Sequence, residues 1–197
     1  MRGELRAKRL TGFGLLAAAL ALPLLGAGEA GNASSSGPFP GFTGAPGEET
    51  CRHCHDTFPI NPGGGELRIE GFPETYVPGE TYRVTISLES PSGLRWGFQA
   101  TVLGENRKRA GKVIATDKSK TKVVAGIFEP NRRYIEQKRA GTFEGQRGGA
   151  SWELAWRAPK RSKGAITIYV SGNVANGNGE PTGDFIYYAE RTSLPAE

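Results

Sequence analysis

Residues 73–90 read PETYVPGETYRVTISLES, and this stretch decides the fold class. Pro78 and Gly79 predict a tight turn. Apolar side chains then stand at every second position, namely Tyr82, Val84, Ile86 and Leu88. This alternation is typical of a β-strand with one buried face, because successive side chains of a strand point to opposite sides. The stretch therefore predicts a turn followed by a half-buried strand.

The rest of the chain repeats this pattern of short strands between turn residues. The 29 glycines and 13 prolines favour turns over long helices, and no segment shows a helical period of useful length. Further candidate strands are ELRIEGF (66–72), LRWGFQATVL (94–103), KVIAT (112–116), TKVVAG (121–126), RRYIEQ (132–137), SWELAWRAP (151–159), AITIYVSGN (165–173) and DFIYYAERT (184–192). The sequence thus predicts an all-β, antiparallel sandwich or barrel over residues 66–192.

Two finer predictions concern the strand connections. Gly97 is expected to mark a bulge in its strand. A polar turn at Asp117–Lys120 is expected to join KVIAT to TKVVAG. The basic stretch around this turn, residues 105–122, has two interpretations: a solvated hairpin edge or a surface for an anionic partner.

The N-terminus has the pattern of a signal peptide. A basic start, MRGELRAKRL, precedes an apolar run that Pro23 interrupts and that ends in small residues at Ala30. The run is somewhat short for a membrane span, which needs about 20 residues. We therefore expect a signal peptide over residues 1–30, periplasmic or extracellular localisation, and no stable membrane span after cleavage. Retention of the segment as an uncleaved anchor is the alternative.

The charge of the chain gives little indication of a nucleic-acid partner. The formal net charge is +5, and residues 1–30 hold four basic and two acidic side chains, which leaves 5 − 2 = +3 for the rest. No basic helix or row of stacking aromatic residues accompanies this mild excess. We expect no nucleic-acid binding.

Both cysteines and both histidines of the chain fall within residues 51–55, CRHCH. The pattern C-x-x-C-H is typical of covalent haem c attachment. Two thiols at this spacing can each form a thioether to one porphyrin, and the adjacent imidazole can then bind the iron. The sequence predicts one haem c held by Cys51 and Cys54, with His55 as the proximal iron ligand, in a haem-attachment segment over 51–65.

Three other interpretations of this motif stay open. A Cys51–Cys54 disulfide is common chemistry in an exported protein. A zinc or copper site could use the same residues with His53, although four ligands within five positions are crowded for a tetrahedral site. A thiol oxidoreductase would need the motif at the start of a helix, whereas here it follows a Gly/Ser/Pro-rich linker over residues 31–50.

A haem in this chain would lack an ordinary sixth ligand. The single methionine, Met1, lies in the predicted signal peptide, and His53 is held within the motif itself. The iron would then be five-coordinate, bound by a weaker side chain, or completed by a partner chain. An open position suits small-ligand binding and a filled one suits electron transfer.

With strands and motif combined, the chain resembles the bacterial Reelin-type (Reeler-like) β-sandwich proteins. The stretches that carry the resemblance are TGAPGEETCRHCH (43–55), GFPETYVPGETYRVTISLE (71–89), GFQATVL (97–103), WELAWRAP (152–159) and YVSGNVANGNGEPTGDFIY (169–187). The resemblance implies a secreted Reelin-like, immunoglobulin-like sandwich of about eight strands behind an irregular arm that holds the motif. Where the family pattern commonly has a histidine after the Tyr-Ile strand, this chain has Gln137.

The loop GNVANGNGEPTGD (172–184) has three interpretations. Its oxygen-bearing side chains could bind calcium, although their spacing fits no EF-hand. The Asn-Gly pairs serve equally well in turns that need positive φ. The loop could also shape the haem pocket. The side chains in question are Asn173, Asn176, Asn178, Glu180 and Asp184.

Two functional hypotheses follow. The first is an exported monohaem c-type cytochrome-like protein in electron transfer or redox sensing, with a redox partner protein. The second is a non-catalytic secreted interaction or adhesion module with a Cys51–Cys54 disulfide, which binds an extracellular surface component. No G-x-S-x-G, H-E-x-x-H or phosphate-loop pattern favours an enzyme.

Overall fold

The computed structural model describes residues 34–196, so the predicted signal peptide lies outside the described residues. Within this range the chain forms ten strands and two short 3₁₀ turns, at Cys51–His53 and Arg139–Thr142. The strands are β1 (Glu66–Glu70), β2 (Thr75–Tyr76), β3 (Thr81–Ser90), β4 (Arg95–Gly104), β5 (Lys112–Ala115), β6 (Thr121–Ala125), β7 (Arg133–Gln137), β8 (Gly148–Arg157), β9 (Ile166–Ala175) and β10 (Phe185–Pro195).

The strands form a two-layer sandwich. One sheet has the order β1-β3-β8-β5 and the other the order β2-β10-β9-β4-β7-β6. All pairings are antiparallel except the short β2–β10 contact at Leu194 and Thr75. The predicted all-β sandwich is confirmed. Ten strands are described rather than about eight, partly because β2 is too short to leave a pattern in the sequence.

The core lies between the two sheets. The alternation predicted for β3 is observed, since Val84, Ile86 and Leu88 are fully buried. Trp152 and Leu154 on β8 pair directly with Ile86 and Val84. Three buried tryptophans complete the core, and each indole N–H donates to a backbone carbonyl, which removes the cost of burying it. The pairs are Trp96 with Gln146, Trp152 with Gly141, and Trp156 with Ala110.

The polar turn expected at Asp117–Lys120 is confirmed, since the N–H groups of Lys120 and Thr121 both donate to Asp117 O. It joins β5 to β6, but the two strands do not pair, because the turn carries the chain from the edge strand of one sheet to the edge strand of the other. The bulge expected at Gly97 is wrong, because β4 pairs with β9 without interruption from Arg95 to Gly104.

The arm, residues 34–65, packs against the outer face of the six-stranded sheet. The N–H groups of Gly41 and Phe42 both donate to Gln99 Oε1, at 2.9 and 2.8 Å. Further along, Cys51 N–H donates to Ser171 Oγ at 3.1 Å. The arm therefore does not swing free on its glycines in this structure.

A buried ion pair reinforces this packing. Glu48 of the arm and Arg132, the residue before β7, are each 4% exposed, and Glu48 Oε1 lies 2.5 Å from Arg132 Nη1. Tyr134 donates to the same oxygen, and Thr43 Oγ1 donates to Glu48 Oε2. Burial, together with the Glu48 hydrogen bond, raises the pKa of Tyr134. The Glu48 carboxylate thus joins the arm to β7 and the residue before it.

Candidate functional site

The motif residues adopt a single helical turn. Thr50 caps it by accepting a hydrogen bond from Arg52 N–H, and His55 N–H closes it by donating to Cys51 O at 3.1 Å. Side chains three and four positions apart lie near one another on such a turn. The structure accordingly places Cys51, Cys54 and His55 in the lining of one cleft of about 300 Å³.

The cleft lies where the arm meets one end of the six-stranded sheet. The aromatic residues of its lining are Phe39 and Phe42 from the arm and, at the start of β4, Trp96 and Phe98, whose own side chains are almost fully buried in the core. Polar groups reach it from other elements, namely Arg95, Gln137, Asn173, Glu180 and Asp184. The result is an apolar cleft with a few placed polar atoms, the usual composition of a small-molecule site.

A buried carboxylate holds the motif histidine. His55 Nδ1 lies 2.8 Å from Asp184 Oδ2, and the Asp184 side chain is only 2% exposed. The second oxygen, Asp184 Oδ1, accepts from Asn176 N–H at 3.1 Å. A carboxylate oxygen accepts hydrogen bonds, so Nδ1 is the donor in this contact. Nε2 is then the atom left for a ligand.

Asn173 lies against the same imidazole. Its Nδ2 is 3.3 Å from both ring nitrogens. An atom equidistant from both nitrogens at this range does not lie in line with either lone pair, so it covers the ring rather than competing for Nε2. Asn173 Oδ1 is buried without a hydrogen-bond partner among the described residues.

The two cysteines are free thiols, so the disulfide of the second hypothesis is not present. Cys51 Sγ lies 4.0 Å from Phe42 O, whereas Cys54 is exposed. Burial raises the pKa of Cys51 to about 11.

The zinc or copper interpretation receives no support in the described part of the chain. Over residues 34–196 no group of three or more His, Cys, Asp or Glu side chains has the arrangement of a metal site. His53 packs against the Phe42 ring, with centroids 5.3 Å apart, and does not line the cleft. The haem assignment itself stays a prediction.

Gln137 occupies a defined place in the cleft wall. Its Oε1 accepts from Phe98 N–H at 2.8 Å, which leaves Nε2 as the free donor end of the amide. A Cβ atom on Gly97 would lie 3.1 Å from that nitrogen. Gly97 therefore makes room for Gln137, and the position singled out by the resemblance lies in the same cleft as the motif.

The loop between β9 and β10 is organised by its own side chains. Asn178 N–H donates to Asn176 Oδ1 at 2.9 Å, and Glu180 N–H donates to Asn178 Oδ1 at 2.8 Å. These are the local side-chain-to-backbone bonds expected of turn chemistry. They use oxygens that the calcium interpretation would require. Gly177, Asn178 and Gly179 also border the cleft. That this loop shapes a haem pocket stays a prediction.

The sequence did not predict most of the cleft wall. Asp184 was named among the oxygen-bearing side chains of its loop, but not as the partner of His55, which is 129 positions away. Trp96 and Phe98 were assigned to a strand without a role in a site. A spacing motif identifies residues that act through a local turn. These side chains meet the motif only because β4 and β10 begin, and β9 ends, at the same end of the sheet.

No helix in residues 34–196 combines the length and apolar character needed to cross a bilayer. The described chain is a β-sandwich with a packed arm, and its candidate site is the cleft between them.

Comparison with known proteins places this sandwich among Reelin-type folds. No family model matches the chain. The solved Reelin-N domain of F-spondin matches with a TM-score of 0.51 at 23% identity, over 74% of this chain and 97% of that one. The human F-spondin reeler domain matches with a TM-score of 0.49 at 24% identity, over 70% of this chain and 93% of that one.

A short part of the sequence is similar to spondin-1. A 42-residue stretch is 52% identical to Spondin-1 of Rattus norvegicus and of Homo sapiens. That stretch covers 21% of this chain and only 5% of those proteins. The Reelin-domain part of the predicted resemblance is thus supported at the level of the fold. Its bacterial and haem-bearing parts stay predictions.

Proposed function

We propose that this chain is a non-catalytic extracellular interaction module. The observation that carries the proposal is the match of its sandwich to the Reelin-N domain of F-spondin along nearly the full length of that domain. The predicted signal peptide agrees with an extracytoplasmic location. Sequence patterns of common hydrolases and phosphate-binding enzymes are missing.

An exposed aromatic patch supports an interaction role. Phe128 in the β6–β7 turn is 84% exposed and Ile127 is 58% exposed. Phe39 of the arm packs on Phe128, with ring centroids 5.9 Å apart. Protruding aromatic side chains of this kind are frequent anchors in protein interfaces.

Fractionation and surface binding test this proposal. We expect the expressed chain outside the cytoplasm, and we expect the purified protein to bind intact producer cells in a saturable way. Phe128→Ser should weaken this binding, and Val77→Ser, at another exposed apolar position on the loop after β2, is the control. Cytoplasmic retention, or no saturable binding, would contradict the proposal.

A second candidate function is haem c binding, favoured by the convergence of Cys51, Cys54 and His55 on one aromatic-walled cleft. The residues present fit such a group. The arm residues Phe39 and Phe42 offer rings on which a porphyrin could stack. Arg95 also lines the cleft, and its Nε is buried without a hydrogen-bond partner among the described residues. This donor suits a carboxylate, and a haem carries two.

In this arrangement the chain's own residues have distinct tasks. Cys51 and Cys54 would supply the two thioether sulfurs, and His55 Nε2 would face the iron. The aromatic rings Phe42, Trp96 and Phe98 would limit water access. When bound, the haem would supply one-electron redox chemistry, with a redox partner protein as the expected partner.

Maturation in a host with a cytochrome c assembly system tests the haem proposal. We expect a Soret band that survives acid-acetone extraction and an intact mass increased by one haem. His53 and His55 form a matched pair of controls, because only His55 lines the cleft. His53→Ala should leave the spectrum unchanged, whereas His55→Ala should alter it. Matured protein without added haem would contradict the haem proposal, and the interaction module would be the candidate function that stays.

A further inference from the structure

The buried pair of His55 and Asp184 is the most specific polar contact of the cleft. It joins the motif turn to the first residue before β10, across 129 positions of sequence. Asp184 is 2% exposed, and within the described residues its ion-pair contact is with His55 alone. A carboxylate buried this deeply costs free energy unless its hydrogen bonds are well placed.

Hydrogen bonds from the β9–β10 loop and from the arm fix the position of Asp184. Asn176 N–H donates to its Oδ1, and the Asn176 side chain is tied in turn to Thr182 O at 3.0 Å. The Gly183 N–H donates to Thr57 Oγ1 of the arm at 2.9 Å. The Asn-Gly loop and the arm thus fix the carboxylate relative to the imidazole.

His55 lines the cleft, and its contact with Asp184 uses only one of its two ring nitrogens. Here the carboxylate takes Nδ1, and Asn173 covers the ring without lying in line with either nitrogen. Hydrogen bonding from the second ring nitrogen to a carboxylate fixes the tautomer and orientation of a ligating histidine and raises its basicity. The His55–Asp184 pair has the geometry of a histidine that a carboxylate orients for binding a metal.

We infer that Asp184 is a positioning residue that fixes His55 in the Nδ1–H tautomer, presents Nε2 to the cleft and strengthens it as an electron donor. This inference rests on the proposed haem function for its last part only. The tautomer and orientation are properties of the chain itself, and they are tested without haem.

The first experiment uses the full chain produced without haem. Nitrogen-detected NMR of the imidazoles distinguishes Nδ1–H from Nε2–H, and His53→Ala assigns the two histidine signals. We expect His55 as the Nδ1–H tautomer in the wild-type protein. In Asp184→Ala, we expect His55 to shift toward the Nε2–H tautomer favoured by free imidazole. An Nε2–H tautomer for His55 in the wild type would overturn the inference.

The second experiment uses matured protein. Asp184→Asn keeps an oxygen that can accept from Nδ1–H but removes the negative charge. His55 Nε2 would then be a weaker electron donor to ferric iron. We expect haem to stay attached and the midpoint potential to become more positive than in the wild type. Glu190→Gln removes an exposed carboxylate from the same strand, away from His55, and should leave the potential unchanged.

The possible failures are distinguishable. An unchanged potential in Asp184→Asn with haem attached would overturn the donor-strength part. A wild-type chain that matures without haem would refute the haem proposal, while the NMR result would still decide whether Asp184 positions His55.

Discussion

At the residue scale, Cys51 and Cys54 show how the fold separates two chemically identical groups. They are equivalent in the motif, yet the Cys51 side chain is half-buried and the Cys54 side chain is exposed. Burial raises the pKa of Cys51 from 9.0 to about 11. The reactive thiolate of Cys51 is therefore about 100-fold scarcer at pH 8 than that of an unperturbed thiol.

This difference predicts the order of alkylation. In the folded, haem-free protein, iodoacetamide at pH 8 should modify Cys54 well before Cys51. In urea the two rates should become similar, because the desolvation of Cys51 is lost. Peptide mass spectrometry against time measures both rates. Equal rates in the folded protein would contradict the burial of Cys51.

Glu136 is a second residue whose environment opposes its charge. The side chain is 2% exposed beneath the arm, with Lys122 Nζ 3.3 Å from its carboxylate. Burial raises the pKa of Glu136, and hydrogen bonds from Gln99 and Lys122 offset part of this rise. The folded state therefore binds this proton more tightly than the unfolded chain does.

The raised pKa of Glu136 predicts a pH dependence with a definite sign. At neutral pH the charged carboxylate lowers stability, and the folded state gains stability from this group as pH falls through the raised pKa. The free energy of unfolding of the wild type minus that of Glu136→Gln should therefore increase between pH 7 and pH 4. Urea titrations across this range measure it, with exposed Glu153→Gln as the control. A difference that is constant or decreases on acidification would show the opposite linkage.

At the element scale, Gly172 on β9 marks a close approach of the two sheets. Gly172 faces the core, and a Cβ there would lie 2.6 Å from Leu67 Cδ1 and 3.1 Å from Leu88 Cδ2. These side chains belong to β1 and β3 of the other sheet. The glycine is thus required by close packing rather than by backbone conformation.

Gly172→Ala should destabilise the sandwich. Overpacking of a filled core typically costs about 1–3 kcal/mol, and we expect a loss in this range from denaturant unfolding. Gly63→Ala is the matched control, since a Cβ there meets nothing within 4 Å. A neutral effect of Gly172→Ala would mean that the sheets separate more easily than the structure indicates.

Elements with a local pattern were predictable, and those defined by distant contacts were not. The alternation in β3 indicated its buried face before the partner strand was known. By contrast, nothing local distinguishes a hairpin from a crossover between β5 and β6, because both need only a polar turn. Gly97 was interpreted as a bulge for the same reason, since its role depends on the side chain of Gln137.

At the scale of the whole molecule, the arm is part of the folded body. Its composition predicts a Gly/Ser/Pro-rich linker over residues 31–50, and Gly41 within this range hydrogen-bonds to Gln99 of β4, while Cys51 just after it hydrogen-bonds to Ser171 of β9. The Glu48–Arg132 ion pair provides a further link. One wall of the candidate cleft exists only while the arm is packed.

Glu48→Ala should release the arm. Removing one partner of a buried ion pair typically costs about 3–5 kcal/mol, since the other charge stays buried and unpaired. We expect amide exchange at Gly41, Phe42 and Cys51 to rise by roughly 100-fold, while β3 keeps its protection. Glu66→Ala, which breaks the exposed pair with Arg68, should leave exchange in the arm unchanged. Unaltered exchange in Glu48→Ala would show that the ion pair does not hold the arm.

The sequence by itself determined the all-β class, most strand positions and the three motif residues. Each of these depends on neighbours within a few positions, through alternation or a single turn. The tertiary structure alone decided how the sheets are ordered, that the arm packs, and that Asp184, Gln137 and the aromatic rings meet the motif. These contacts join residues up to 129 positions apart, and no local pattern encodes such pairs because they are fixed only when the strands assemble.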